Sequence, residues 1–368
     1  MNIELILYQA MKRALPRWLP VLLLIAGQVA TVQQAAAQSE DSTSETEYFL
    51  DRPDATKYAV IMVGPSVGEE NKIRFRQWAF SLHDILARDY GYSSDTISLL
   101  YDAGAVDFPE SERPGSVRID AACDREGIEQ QLQQLKDRVR LGDQISIFLI
   151  GHGSGANEEA KFNIVGPDIT GAEFSAMLDV FDEQDIVIVN TTSASYGFSS
   201  SLSREGRVVI SSTRSASEKY DPIFSRYFIE ALDGRNGDRD KNNRVSMLEA
   251  FNYAKASVQK WYEDQGRLAA EHAGLDDNGD ALFALNPTVT ESDGRLAEIA
   301  YIDTLSNSDD ELTPMARQLK GRMQELERSV FILRGRKGDF LEDDYWAQME
   351  VLLIELARTT GRFNEQLQ

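Results

Sequence analysis

The sequence predicts an α/β protein with a mostly parallel sheet flanked by helices, followed by an acidic loop and a C-terminal helical hairpin. Three observations predict it. Five short, β-branched apolar runs alternate with amphipathic stretches, the pattern of strands buried on both faces between crossover helices. The chain has 368 residues of which 42% are hydrophobic, enough to bury a sizeable core. Beyond residue 312 the apolar spacing changes to steps of three and four, interrupted once, which is the period of two successive helices.

The N-terminus reads as a targeting segment. From Met11, the basic residues Lys12, Arg13 and Arg17 precede an apolar run over residues 21–26 and a small-residue cleavage site at Ala35, Ala36 and Ala37. Residues 1–37 are therefore expected to be a cleaved secretory signal, with Met11 as the initiator. The apolar run is too short to span a bilayer. The mature chain is thus expected to be periplasmic or secreted, with no transmembrane span. Residues 38–56 read as a flexible acidic lead, since 39–47 carry charge and hydroxyls without large apolar groups.

The strand-like runs cover residues 58–63, 96–100, 145–150, 186–189 and 207–211, and helical patterns cover 73–87, 128–139 and 172–181. Asp124 or Arg125 stands near the start of the second helix, and Thr170 where the N-cap of the third belongs. Ligands in such sheets gather beyond the carboxyl ends of the strands, so the strand exits are where chemistry is sought.

Charge and cysteine count narrow that chemistry. The formal net charge is −22, which opposes the phosphate contacts that nucleic-acid binding requires. One cysteine, Cys123, excludes an internal disulfide framework; three histidines leave few ways to hold a transition metal. Cys123, ahead of the second helix, reads as a packed thiol, with an intermolecular disulfide as the alternative.

Two strand exits stand out. After the third run comes Gly151-His152-Gly153, where flanking glycines let the backbone approach a ligand and present the ring at the sheet edge. His152 is the expected general base, and Gly153 a possible oxyanion amide. After the fourth run come Thr191, Thr192, Ser193 and Ser195, a hydroxyl cluster where a nucleophile would stand.

Strand-Gly-His-Gly, then a strand entering a nucleophile turn, then a fifth strand entering residues 211–218, resembles the caspase-like fold. The likeness is to the legumain-type cysteine peptidases and their secreted bacterial relatives, and covers residues 58–280. The resemblance implies that His152 and a cysteine in a Cys-x-Ser-Gly turn form a catalytic dyad. In this chain the cysteine position falls on Ser193, with Ser195 as the motif serine and Tyr196 for its glycine; a register on Gly197 moves it to Ala194. Neither register supplies a thiol. The resemblance also implies a substrate-receiving arginine after the first strand, and Arg74 lies near that place. Its other reading is an exposed charge on an amphipathic helix.

Residues 238–249 match the twelve-residue calcium loop: Asp238, Asp240 and Asn242 at positions one, three and five, the Arg244 carbonyl at seven, Ser246 at nine and Glu249 at twelve. Asn243 replaces the usual glycine at six. Ca2+ is the expected cofactor, and an acidic turn with a helix cap is the alternative. A second acidic stretch, 276–280, lacks the closing glutamate and reads as a turn.

Residues 57–285 are thus read as one domain, 286–312 as a linker, and 313–368 as a hairpin with Asp339 and Glu342 resembling a capping box. The hairpin packs on its own domain or serves as an arm for a partner. Two functions stay open. One is a pseudopeptidase that binds a peptide or protein; the other is a hydrolase using Ser193 or Thr192 with His152.

Overall fold

The computed structural model describes residues 47–50, 52, 55–104, 117–290, 292–304 and 312–367. The expected signal segment, 1–37, and the expected acidic lead as far as residue 46 lie outside the described residues. Among the described residues no helix is long and apolar enough to cross a membrane.

Six strands form the main sheet in the order β2-β1-β3-β7-β8-β9. These are β1 (Lys57–Val63), β2 (Ile97–Tyr101), β3 (Gln144–Ile150), β7 (Asp185–Asn190), β8 (Arg207–Ser211) and β9 (Gly274–Asp276). The first five pair in parallel and β9 closes the edge antiparallel to β8. Three two-residue strands, β4 (Gly153–Ser154), β5 (Lys161–Phe162) and β6 (Ile169–Thr170), form a small antiparallel sheet just beyond β3.

All five expected strands are present, and the period of two explains why their sequences are apolar throughout. Along β1, Ile61 and Val63 enter one core while Val60 and Met62 enter the other; along β3, Phe148 and Ile150 oppose Ile147 and Leu149 in the same way. One face is covered by α1 (Glu69–Asp89), α5 (Phe224–Leu232) and α6 (Met247–Asp264), which bury Phe75, Phe228 and Phe251. The other is covered by α2 (Arg125–Lys136) and α3 (Gly171–Leu178), through Leu132 and Phe174. Between β7 and β8 lies the short α4 (Ser195–Ser200).

Local capping follows the sequence at three helices. The Asp124 side chain accepts from the Gly127 amide at 2.7 Å. Thr170 with Glu173, and Ser246 with Glu249, form complete capping boxes. The expected box at Asp339 does not form. The last helix, α9 (Glu342–Gln366), starts after Leu341 without a side-chain cap, because Asp339 belongs to a preceding 3₁₀ turn and pairs with Arg336.

Residues 286–304 differ from the linker reading. They contain α7 (Arg295–Ile299), and Leu296, Ala297, Ile299 and Ile302 lie in the core beneath α5 and α6. Turn formers dominate this stretch in sequence, but Leu296, Ala297, Ile299, Ala300 and Ile302 are committed to that core.

The hairpin is α8 (Pro314–Gly335) against α9. Two small clusters, around Leu319, Met323 and Phe363 and around Val330, Tyr345 and Met349, hold the two helices together. A third set of contacts ties α8 to the α/β core. Phe331 is buried in the main cluster, Arg334 binds Glu298 of α7, and Glu327 lies 3.3 Å from the buried Arg244 guanidinium.

Candidate functional site

His152 and Ser193 leave neighbouring strands, β3 and β7, and the two exits are pressed together. A Cβ on Gly153 would stand 2.2 Å from the Ser193 carbonyl oxygen, so only glycine fits. Gly151, with φ of 147°, makes the turn that brings the imidazole out of the sheet.

The structure supplies what the sequence lacked, a carboxylate behind the histidine. His152 Nδ1 lies 2.9 Å from Asp221 Oδ1, and the ring stands edge-on to Phe75 at 5.2 Å. Asp221 Oδ2 accepts from Asn71 Nδ2 at 2.8 Å, and Asn71 Oδ1 accepts from Arg74. The hydrogen bond from His152, with the Arg74 charge behind it, holds the Asp221 carboxyl below the usual range. Arg74 lies on α1 with its guanidinium 5.7 Å from the Trp78 ring, and its hydrogen bond to Asn71 makes it a buttress of this chain. Asp221 lies 69 positions from His152 in sequence, in the segment joining β8 to α5; only the rule about strand exits pointed there.

The nucleophile side is arranged differently. Ser193 is 3% exposed, and its Oγ accepts from the Gly153 amide at 3.3 Å and donates to the Gly153 carbonyl at 3.4 Å. Among the described residues His152 Nε2 is buried without a hydrogen-bond partner, so Ser193 and His152 are not bonded to one another. The Gly153 amide, expected as an oxyanion donor, is spent on Ser193. Thr192 donates to Asn190 Oδ1 at 2.8 Å, and Ser195 is enclosed by Ser211, Ser212 and Thr213, so both hydroxyls hold the turn rather than face the histidine. Ala194 has φ of 49° and no side-chain polar group; its amide donates to the Glu218 carbonyl. Cys123 is buried in the core opposite, and burial pushes its thiol pKa upward, so it can neither act here nor reach another chain.

The acidic loop forms a separate constellation. Oxygen atoms of Asp238, Asp240 and Glu249 all lie within 4.8 Å of one another. Asn243 adopts φ of 64°, the left-handed turn that position six requires. One expected ligand is engaged within the chain: Asn242 Oδ1 accepts from the Arg244 amide at 2.8 Å and its side-chain amide reaches Glu327 Oε1 at 2.9 Å. The Arg244 guanidinium, as distinct from the carbonyl expected at position seven, lies 3.5 Å over the Tyr301 ring. Burial, then the Glu249 charge, raises the Asp240 carboxyl to about 7. Three carboxylates thus fit one hard cation, while Glu327 brings a fourth carboxyl within reach of Asn242 from the hairpin. A cleft of about 1030 Å³ adjoins the loop, walled by Glu327 and Val330 of α8 and by Leu353 and Leu356 of α9.

The stretch at 276–280 is a loop organiser. Asp276 accepts from the Gly279 and Ala281 amides, and Asp277 from those of Gly294 and Ala297.

Set against known proteins, the chain matches no family model and no curated protein.

Proposed function

We propose that this chain is a secreted, caspase-like domain of legumain type that has lost peptidase activity and acts by binding a peptide or protein partner. The observation that carries the reading is the engagement of Ser193 with the Gly153 backbone while His152 Nε2 stays unpartnered among the described residues. A hydroxyl nucleophile needs a base to take its proton, whereas a thiol with a reference pKa of about 8.5 is far easier to ionise. Replacing the family's cysteine with Ser193 therefore disables the pair while leaving His152 and Asp221 in place. The strand order, with an antiparallel sixth strand, and the positions of His152 and Ser193 at adjacent strand exits support the family assignment.

One observation favours the second reading, a hydrolase using Ser193 and His152. Asp221 orients the imidazole as a triad carboxylate would. Incubation of the purified protein with a diverse peptide library separates the two: binding without turnover is expected. Turnover by the parent protein that disappears in His152→Ala would establish the hydrolase instead.

Calcium is proposed as the stabilising ion of the 238–249 loop, held by Asp238, Asp240 and Glu249. The support is the spacing of the oxygen residues and the grouping of the three carboxylates. The hairpin is proposed as a partner-binding arm because α9 leaves Trp346, Val351 and Ile354 exposed.

A further inference from the structure

A second cavity, of about 600 Å³, lies against α6 with Phe224 in its wall, and the proposed function leaves it unused. Its size is that of a small-molecule pocket. The apolar wall comprises Phe224, Val258, Ala269, Ala273, Leu285 and Pro287.

The charges on the remaining wall run against those of the whole chain. Lys255 Nζ donates to the Leu285 carbonyl and to Asn286 Oδ1, both neutral, and burial lowers its pKa. Arg239 is exposed and has no ion pair among the described residues. The one carboxylate lining the cavity, Glu271, spends its oxygens on the Ile223 and Phe224 amides and the Tyr262 hydroxyl. In a chain of net charge −22, two cations without carboxylate partners thus share one apolar pocket. A cation beside apolar walls attracts a ligand that carries one negative charge on a hydrocarbon body.

We propose that this cavity is a binding site for a small apolar carboxylate of the fatty-acid class, its head on Lys255 and Arg239 and its chain on Phe224, Val258 and Leu285. The neighbouring His272, which lines it, connects it to the Ser193 turn. His272 bonds Glu218 through its amide at 3.0 Å and through Nδ1 at 2.6 Å, and the Glu218 carbonyl holds the Ala194 amide. Glu271 fixes Ile223 and Phe224, so residues on both sides of Asp221 are anchored to the wall of this cavity.

Isothermal titration of the full chain with octanoate tests the site, with octylamine as the cationic counterpart of equal length. Saturable octanoate binding at one site per chain is expected, weakened tenfold or more in Lys255→Met and in Gln259→Glu, with no octylamine binding. Gln259 is an exposed lining position, so its variant decides the matter if Lys255→Met does not fold. No octanoate binding, equal binding to the parent and the folded variants, or octylamine binding as tight as octanoate would each overturn the proposal.

Discussion

Ser193 and His152 differ from a working pair by one atom type and by where the hydroxyl points. Substituting Ser193→Cys restores the ionisable group, and Asp221 is already in place to hold the imidazole. We expect this variant to gain slow peptide hydrolysis. Adding His152→Ala should then remove about 10²–10⁴-fold of it, the span of general-base catalysis. Peptide-release assays on the single and double variants check this; hydrolysis indifferent to His152 would mean that the two positions do not cooperate. Glu271 offers a different residue-scale test. Burial lifts its carboxyl from 4.5 to about 7. Between those values the folded chain keeps a proton that the unfolded chain has released, so this group makes stability fall as pH rises through that window. Glu271→Gln removes the titration. Denaturant melts at pH 5 and pH 8 should show the variant losing less stability than the parent between them, by on the order of 1–3 kcal/mol.

At the scale of elements, the acidic loop and the hairpin each make a measurable commitment. Binding of Ca2+ to the folded loop alone would stabilise the chain by about 1.4 kcal/mol at tenfold excess over Kd. Millimolar calcium is therefore expected to raise the Tm of the parent and of neither Asp238→Ala nor Glu249→Gln. Magnesium, with its tighter octahedral shell, should do much less. Equal shifts in all three proteins would reduce the loop to a turn and helix cap. In α8, the Phe331 ring lies buried in the main core with the Arg328 guanidinium 4.9 Å above it. Phe331→Ala should cost about 3–5 kcal/mol in a denaturant titration. A cost near zero would place the hairpin outside the cooperative unit. These contacts were hidden in the sequence because the α8 stripe through Leu319, Met323 and Val330 pairs with α9 and looks self-sufficient. Phe331 sits beside that stripe and turns to the α/β core.

For the molecule as a whole, α8 therefore couples the hairpin to the α/β unit through Phe331, Arg334 and Glu327. A chain ending at Thr304 is expected to melt at a lower temperature than the parent, since Arg244 then loses Glu327 and remains buried with less charge compensation. Thermal melts by circular dichroism check this, and unchanged melting would show the hairpin to be energetically separate.

Sequence patterns alone were enough for the α/β class, the five parallel strands, the helix start at Asp124, the cap at Thr170 and the two helices of the hairpin. Each of these rests on a period or a cap only a few residues long. The sequence also brought His152 and Ser193 into view, because each immediately follows a strand. What those residues touch was set by packing between segments far apart in the chain. Asp221 meets His152, Ser193 turns to Gly153, Asn242 turns to Glu327, and residues 286–304 enter the core. Every one of these contacts joins segments distant in sequence, or chooses among partners that local spacing leaves equally open. A hydrogen bond goes to whichever group the packing of the sheet and helices brings within about 3 Å, and periodicity carries no record of that choice.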